Sequence, residues 1–307
     1  MEFADLAPRK SGVEWPTALL AAFIYGLWFA ETYWHRELPG WLLLPVGAWT
    51  VAWHMSLQHE IIHGHPTSRR WLNNLVATWP LALWLPFEAY RRSHLQHHND
   101  ERLTDPLDDP ESFYWTLAQW EELGGLGRWI VRAQASLLGR LAIGPGWAMI
   151  RFWWNEVNLV ATGDRRRLRI VGRHVLETIA VLVWVIGVCG MDFWAYFFGF
   201  AYAGTSLALV RSFAEHRAEN TVARRTAIVE GSWIFGPLFL FNNLHAAHHL
   251  RSSLPWYRLP SWYRLNRAAL IERNGGLLYE SYFDVARRYL FHAHDAPLHP
   301  NPSRRRC

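Results

Sequence analysis

Nine of the sixteen histidines fall into four short motifs. HEIIH sets His59 and His63 four apart, HLQHH carries His94, His97 and His98, EH ends on His216, and HAAHH carries His245, His248 and His249. Residues three and four apart share one face of a helix, so HxxxH aims two imidazoles the same way and HxxHH aims its first ring to the side of both others. Imidazole nitrogen ligates Zn, Cu, Fe and Ni. A lone histidine on an apolar face is ordinarily a satisfied core residue, and a single HxxxH arises readily by chance. Two HxxHH triplets with an HxxxH in one chain read as a metal site. Nine donors exceed what one four- or six-coordinate ion can use; they fit two ions with four or five histidines each and open positions for oxygen species. The other seven, His35, His54, His65, His174, His292, His294 and His299, read as structural or surface residues. His65 is the least certain of these by position, two residues past His63.

HEIIH alone is also the zincin pattern, two zinc ligands with a glutamate base. An intramembrane metalloprotease of that kind leaves both HxxHH triplets unexplained, because a catalytic zinc takes three protein ligands. A metal-bound imidazole usually donates its second N–H to a carboxylate or carbonyl. Glu60, Asp100, Asp105, Asp109 and Glu215 lie near the motifs and are candidates for that role. The run DPLDDPE at 105–111 reads equally as a solvated acidic loop.

The elements that must position these residues follow from composition. The chain has 307 residues, 51% apolar and 19% charged, which excludes a disordered or collagen-like protein. Twenty tryptophans far exceed ordinary usage and favour membrane–water interfaces. A mean hydropathy of −0.07 averages long apolar runs with Arg- and His-rich stretches. The net charge is +5, and Lys10 is the only lysine. Arginine clusters beside apolar runs suit a membrane flank at least as well as nucleic acid. Two cysteines, Cys189 and Cys307, build neither a disulfide framework nor a thiolate metal site. The first sixteen residues do not read as a signal peptide.

A spanning helix needs about 20 mainly apolar residues. Residues 16–34 and 38–58 meet this and pair as an antiparallel hairpin around Pro39-Gly40; 175–190 and 193–210 form a second hairpin around Met191-Asp192. The runs 71–87, 141–154 and 233–241, which are broken by proline or too short to span, read as interfacial or re-entrant. The hairpin tips carry only Arg36, whereas the opposite ends carry Arg9, Lys10, Arg69, Arg70, Arg165 to Arg167 and Arg211, among others. The loop charge therefore places both termini and the long connections on the cytoplasmic side. The expected fold is all-α and integral to the membrane: one domain over 1–307, four transmembrane helices in two hairpins, and a cytoplasmic helical cap (59–174 and 211–299) that holds the metal site. The tail 300–307 is expected to be disordered. The alternative, a soluble helical protein, would have to bury four long uncharged runs. All nine histidines then meet on one side of the membrane.

HEIIHGH, HLQHHND, RSFAEHR and NNLHAAHHL, with their spacing against the spans over residues 40–265, resemble the membrane-bound fatty acid desaturase and hydroxylase superfamily. The resemblance implies a di-iron centre held by His59, His63, His94, His97, His98, His216, His245, His248 and His249, with O2 as co-substrate. Some members carry an asparagine one turn before the isolated ligand. That position is Ser212 here, and Asn242 or Asn243 is the candidate polar substitute. The implied activity is removal of hydrogens from unactivated C–H bonds of an acyl lipid. The alternative within the superfamily is a hydroxylase or ketolase acting on an alkane, a carotenoid or a small functionalised acid. No haem domain, flavin fingerprint or cysteine set is present in the sequence, so electrons are expected from a separate ferredoxin-like partner, docked on the Arg-rich face. A bacterial inner membrane and no nucleic-acid partner complete the expectation. A non-catalytic metal carrier would place ligands within the spans, and here they gather outside them. Trp256, Tyr257, Trp262 and Tyr263 after the last motif are expected at headgroup level.

Overall fold

A computed structural model of the chain describes residues 3–4 and 12–302, apart from the side chain of Asp100. Arg9, Lys10, Cys307, most of the first sixteen residues and positions 303–307 of the tail lie outside the described residues. The described chain is mostly helical. In order it forms α1 (Trp15–Tyr33), α2 (Gly40–Ile62), α3 (Arg70–Ala77), α4 (Phe87–His97), α5 (Leu117–Glu122), α6 (Gly125–Ala133), α7 (Leu137–Ala161) and α8 (Arg165–Leu182). Then come α9 (Phe193–Tyr196), α10 (Ala203–Glu215), α11 (Phe235–Leu238), α12 (His245–Leu250), α13 (Leu259–Arg273) and α14 (Tyr282–Tyr289). Wide π turns extend α8 through Val188 and join α9 to α10. Among the described residues the only named strands are β1 (Ile228–Val229) and β2 (Leu278–Tyr279), paired in parallel.

The chain divides into two compact units. The hairpin unit comprises residues 12–91 and 145–208; the histidine-rich unit comprises 92–144 and 209–302, with Phe3 and Ala4.

In the hairpin unit, α1 and α2 run antiparallel: Tyr25 meets His54, and Thr50 Oγ1 donates to Glu31 at 2.7 Å. Helices of 19 and 23 residues are about 28 and 34 Å long at 1.5 Å per residue. The continuous stretches Arg165–Val188 and Phe193–Glu215 are long and apolar enough to cross a membrane. The core gathers Trp28, Leu43, Val51, Val185, Tyr196 and Phe200. Small residues set how closely the backbones approach: a Cβ on Gly204 would stand 2.6 Å from Val51 Cβ, and one on Gly47 would fall on the Phe200 ring. Outward, the unit exposes Leu19, Phe23, Trp41, Ile179, Val183 and Phe198.

The run at 71–87 splits into the amphipathic helix α3 and an irregular stretch at 78–86. Leu81 and Ala82 of that stretch enter the apolar core. Its carbonyls find partners there: Tyr196 OH donates to Leu81 O at 2.8 Å, and His174 Nε2 lies 3.0 Å from Leu83 O. This is how non-helical backbone survives among apolar side chains. The run at 141–154 departs from the sequence expectation. It is the middle of one helix, α7, and Pro145 removes a single rung of its ladder. α8 begins ten residues before the expected span, because the Asp164 side chain accepts from Arg166 N and Arg167 N and caps it there.

In the histidine-rich unit, Ile228 of β1, Ala246 and Ala247 of α12 and Leu259, Trp262 and Leu270 of α13 form the core. Trp262 and Tyr263 are thus buried among protein side chains, not displayed at a headgroup level. α5 starts on a reciprocal capping box between Thr116 and Gln119.

Candidate metal centre

The two alanines of HAAHH explain how its histidines are aimed. Ala246 and Ala247 pack on the core beneath α12, which leaves His245, His248 and His249 on the other side. HLQHH closes α4: His94 and His98 are one turn apart and His97 stands between them. His216 follows the end of α10 and is fixed by backbone pairing with Thr226.

Within the histidine-rich unit these seven rings form two groups. His97, His216, His245 and His249 present ring nitrogens that all lie within 4.8 Å of one another; His94, His98 and His248 do the same. In the first group the Nε2–Nε2 separations are 3.0 Å (His97–His216), 2.9 Å (His216–His245) and 3.1 Å (His245–His249). In the second, His98 Nε2 lies 3.0 Å from that of His94 and 3.1 Å from that of His248. The groups adjoin, with the His98 and His249 rings stacked at 4.4 Å. His59 and His63 belong to the hairpin unit, where their ring centroids are 5.0 Å apart.

The opposite ring nitrogens are anchored. His97 Nδ1 donates to both oxygens of Asp109 at 3.0 Å, and that carboxylate also accepts from Thr104 N and Glu111 N. His245 Nδ1 stands 3.1 Å from Glu215, which also pairs with Arg211 at 2.8 Å. His94 Nδ1 faces Glu111 at 3.3 Å. His216 Nδ1 lies 3.2 Å from the Arg225 carbonyl, an acceptor that cannot donate, so the His216 proton sits on Nδ1. The Asp109 carboxylate holds His97 Nδ1 in the same way.

His216 Nε2 thus stands 3.0 Å from that of His97 and 2.9 Å from that of His245. A cation at their meeting point would take all of these nitrogens as donors at once. Nitrogens at about 2.0–2.1 Å from one ion and at right angles to each other stand about 2.9 Å apart, the spacing found here. The residues therefore fit a bound metal.

Electrostatics keep most of these donors neutral. Burial holds His216 and His245 well below the usual imidazole range, helped by neighbouring histidines. Burial with His249, His97 and Arg211 nearby takes His98 down to about 2. His97 differs: burial pulls it down, but Glu111 and Asp109 together raise it to about 9. The Glu111 carboxyl itself is pushed up to about 7 by burial, with Asp109 and Glu215 adding to the rise.

The remaining sequence candidates lie as follows. Asp105 turns its carboxylate onto Leu107 N and Asp108 N. Glu60 lies 3.7 Å from His65 Nε2, in the hairpin unit. Asn243 Nδ2 donates to the Val229 carbonyl at 2.6 Å, and Asn242 is buried beside it. Ser212 Oγ donates to Leu209 O and borders a cavity of about 70 Å3 that also reaches His216, Asp109, Glu111, Tyr114 and Arg140. The acidic run is only partly solvated: Asp105 and Asp109 are buried, while Asp108 pairs with Arg102 at the surface. Two partners of the histidines escaped the sequence reading. Glu111 lies within the acidic run already singled out, and the Arg225 carbonyl carries no sequence signal. His65 is fully buried and binds Glu14 at 2.8 Å.

Comparison with known proteins points the same way. The fatty acid desaturase family matches residues 34–281. An sn-1 oleoyl-lipid 12-desaturase from Anabaena variabilis is 23% identical over 87% of this chain and 78% of its own length. One from a Picosynechococcus species is 24% identical over 91% and 82%. A beta-carotene ketolase from a Paracoccus species is 24% identical over 80% of this chain and 87% of its own.

Proposed function

Because the chain belongs to the fatty acid desaturase family and is an oxidoreductase of the membrane desaturase and hydroxylase type, we propose that it is an O2-dependent acyl-lipid desaturase. Its nine motif histidines hold two irons. Seven belong to the two groups of the histidine-rich unit, and His59 and His63 join them as donors on the strength of their HxxxH spacing and the family pattern. Bound iron supplies the activation of O2 and the removal of hydrogen from an unactivated C–H bond. The chain's residues do the rest. Asp109, Glu111 and the Arg225 carbonyl face the Nδ1 atoms of His97, His94 and His216, which leaves the Nε2 atoms of these rings toward the metal, and Glu215 stands beside His245. Burial of His94, His97, His245 and His248 excludes water from the reacting centre. Four spans in two hairpins carry the site on the cytoplasmic face of a bacterial inner membrane, and a separate ferredoxin-like carrier brings the electrons.

The observation that carries this reading is the convergence of ring nitrogens from His97, His216, His245 and His249 within 4.8 Å of one another. Its test is expression in a host whose lipids are monounsaturated, with an electron donor supplied, followed by fatty-acid analysis and metal counting on the purified protein. New diunsaturated acyl chains and two irons per chain are expected. Less than one iron per chain, with zinc in its place, would overturn both oxygenase readings.

The match to a beta-carotene ketolase, which covers most of both chains, favours one second reading. Under it the same centre inserts oxygen into a carotenoid or similar hydrocarbon. Feeding the expressing cells a carotenoid distinguishes the two, since a ketone product with unchanged acyl chains selects the second.

A further inference from the structure

The hairpin unit holds a second concave site, unrelated to histidine chemistry. Arg166, Arg169 and Arg173, at successive turns of α8, form one wall of a cavity of about 250 Å3; Asn74 and Thr78, at the end of α3, form another. Glu88 and Glu177 also line it. Glu177 is already engaged by Arg173 Nε at 2.6 Å and by Thr78 Oγ1. Glu88 reaches Arg91 and Arg166 only at 4.0 Å, the outer limit of an ion pair. Three guanidiniums thus line the cavity with two carboxylates, one of them already taken by Arg173. Arg166 and Arg169 make no close ion pair with this rim: Arg166 has only the 4.0 Å approach to Glu88, and Arg169 Nε bonds weakly to the Arg165 carbonyl at 3.4 Å.

The surroundings identify the anion's source. On α3, Trp71 and Leu75 are exposed on the flank next to Asn74 and Thr78. α8 goes on from the arginines to expose Leu176, Ile179 and Val183 within a stretch apolar enough to span a bilayer. A cationic recess edged by exposed tryptophan and leucine matches a molecule with a charged head and greasy tails, whereas a soluble acidic protein would meet a flatter and more polar surface. We propose that this pocket binds the phosphate of an anionic phospholipid such as phosphatidylglycerol, with Arg166 and Arg169 as its principal contacts. The site is independent of the desaturase assignment.

The test is native mass spectrometry of the full-length protein in neutral detergent, titrated separately with phosphatidylglycerol, phosphatidylcholine and glycerol 3-phosphate. Phosphatidylglycerol is expected to bind most tightly. Two surface arginines each worth about 1 kcal/mol toward an anionic lipid imply that R166Q/R169Q binds it about thirtyfold more weakly. Glu88→Gln, which removes the competing carboxylate, is expected to tighten it. Equal binding of both lipids, an unchanged affinity in the double variant, or glycerol 3-phosphate bound as tightly as the lipid would each overturn the proposal, the last by marking a soluble-anion pocket.

Discussion

Asp109 supports the histidine centre from one step away. It holds His97 by two contacts at 3.0 Å while two backbone amides hold it in turn. Asp109→Asn keeps the shape and removes the charge, so metal affinity should fall about 10- to 100-fold, read as faster loss of iron to a chelator. Unchanged retention would show that the carboxylate is no more than a loop anchor. Away from the metal, Glu230 accepts from Arg267 at 2.6 Å and is held below the usual carboxylate range by that bond, with burial opposing. A depressed folded pKa means its stabilisation is present above its unfolded value, near 4.5, and fades as the pH falls through the folded value. Glu230→Gln should therefore narrow the stability difference between pH 7 and pH 4, measured by unfolding at both. The donors were legible in the sequence because helical spacing fixes which way neighbouring rings face. Their anchors were legible only where residue type helped. Glu111 reaches His94 from seventeen positions away by a loop whose path depends on Thr104 adopting φ +68, and a backbone carbonyl such as that of Arg225 has no residue type to read.

The helices obey two different rules. Long apolar runs with little or no charge marked α1, α2, the second half of α8 and the stretch that follows Asp192. Helix ends were less visible: α8 starts at an aspartate cap inside a basic stretch, and α7 runs through Gly-Pro-Gly, a pattern that ordinarily stops a helix. Asp164→Ala should cost about 1 kcal/mol and lower the unfolding temperature, with no effect on metal content. Close backbone approach at Gly204 has a larger consequence. Gly204→Leu drives a side chain against Val51 and should destabilise the hairpin unit by about 1–3 kcal/mol or more, and Gly204→Ala by less. Thermal unfolding in detergent ranks the three proteins, and equal midpoints would mean that α2 can move aside at little cost.

Across the whole molecule, the proposed four-span arrangement makes a directional claim. Single cysteines placed at His35 or Asp192 on a cysteine-free background should react with an impermeant maleimide added outside intact cells, and those at Arg69 or Arg225 should react only after lysis. Labelling of Arg69 from outside would invert the arrangement. The interleaving of the two units adds a constraint of another kind. The chain enters the hairpin unit, leaves it at residue 92, returns at 145 and leaves again at 209. Neither unit is an unbroken stretch that a ribosome could finish and release to fold alone. His97 is made early, yet three of the rings grouped with it, His216, His245 and His249, are synthesised more than a hundred residues later. During translation a nascent chain therefore carries half-built ligand sets for most of its synthesis, and under the proposed function iron would be captured securely only at the close of it. On that reading metal loading is a late step in biogenesis, and chains terminated before α12 would lack His245, His248 and His249 and stay metal-free.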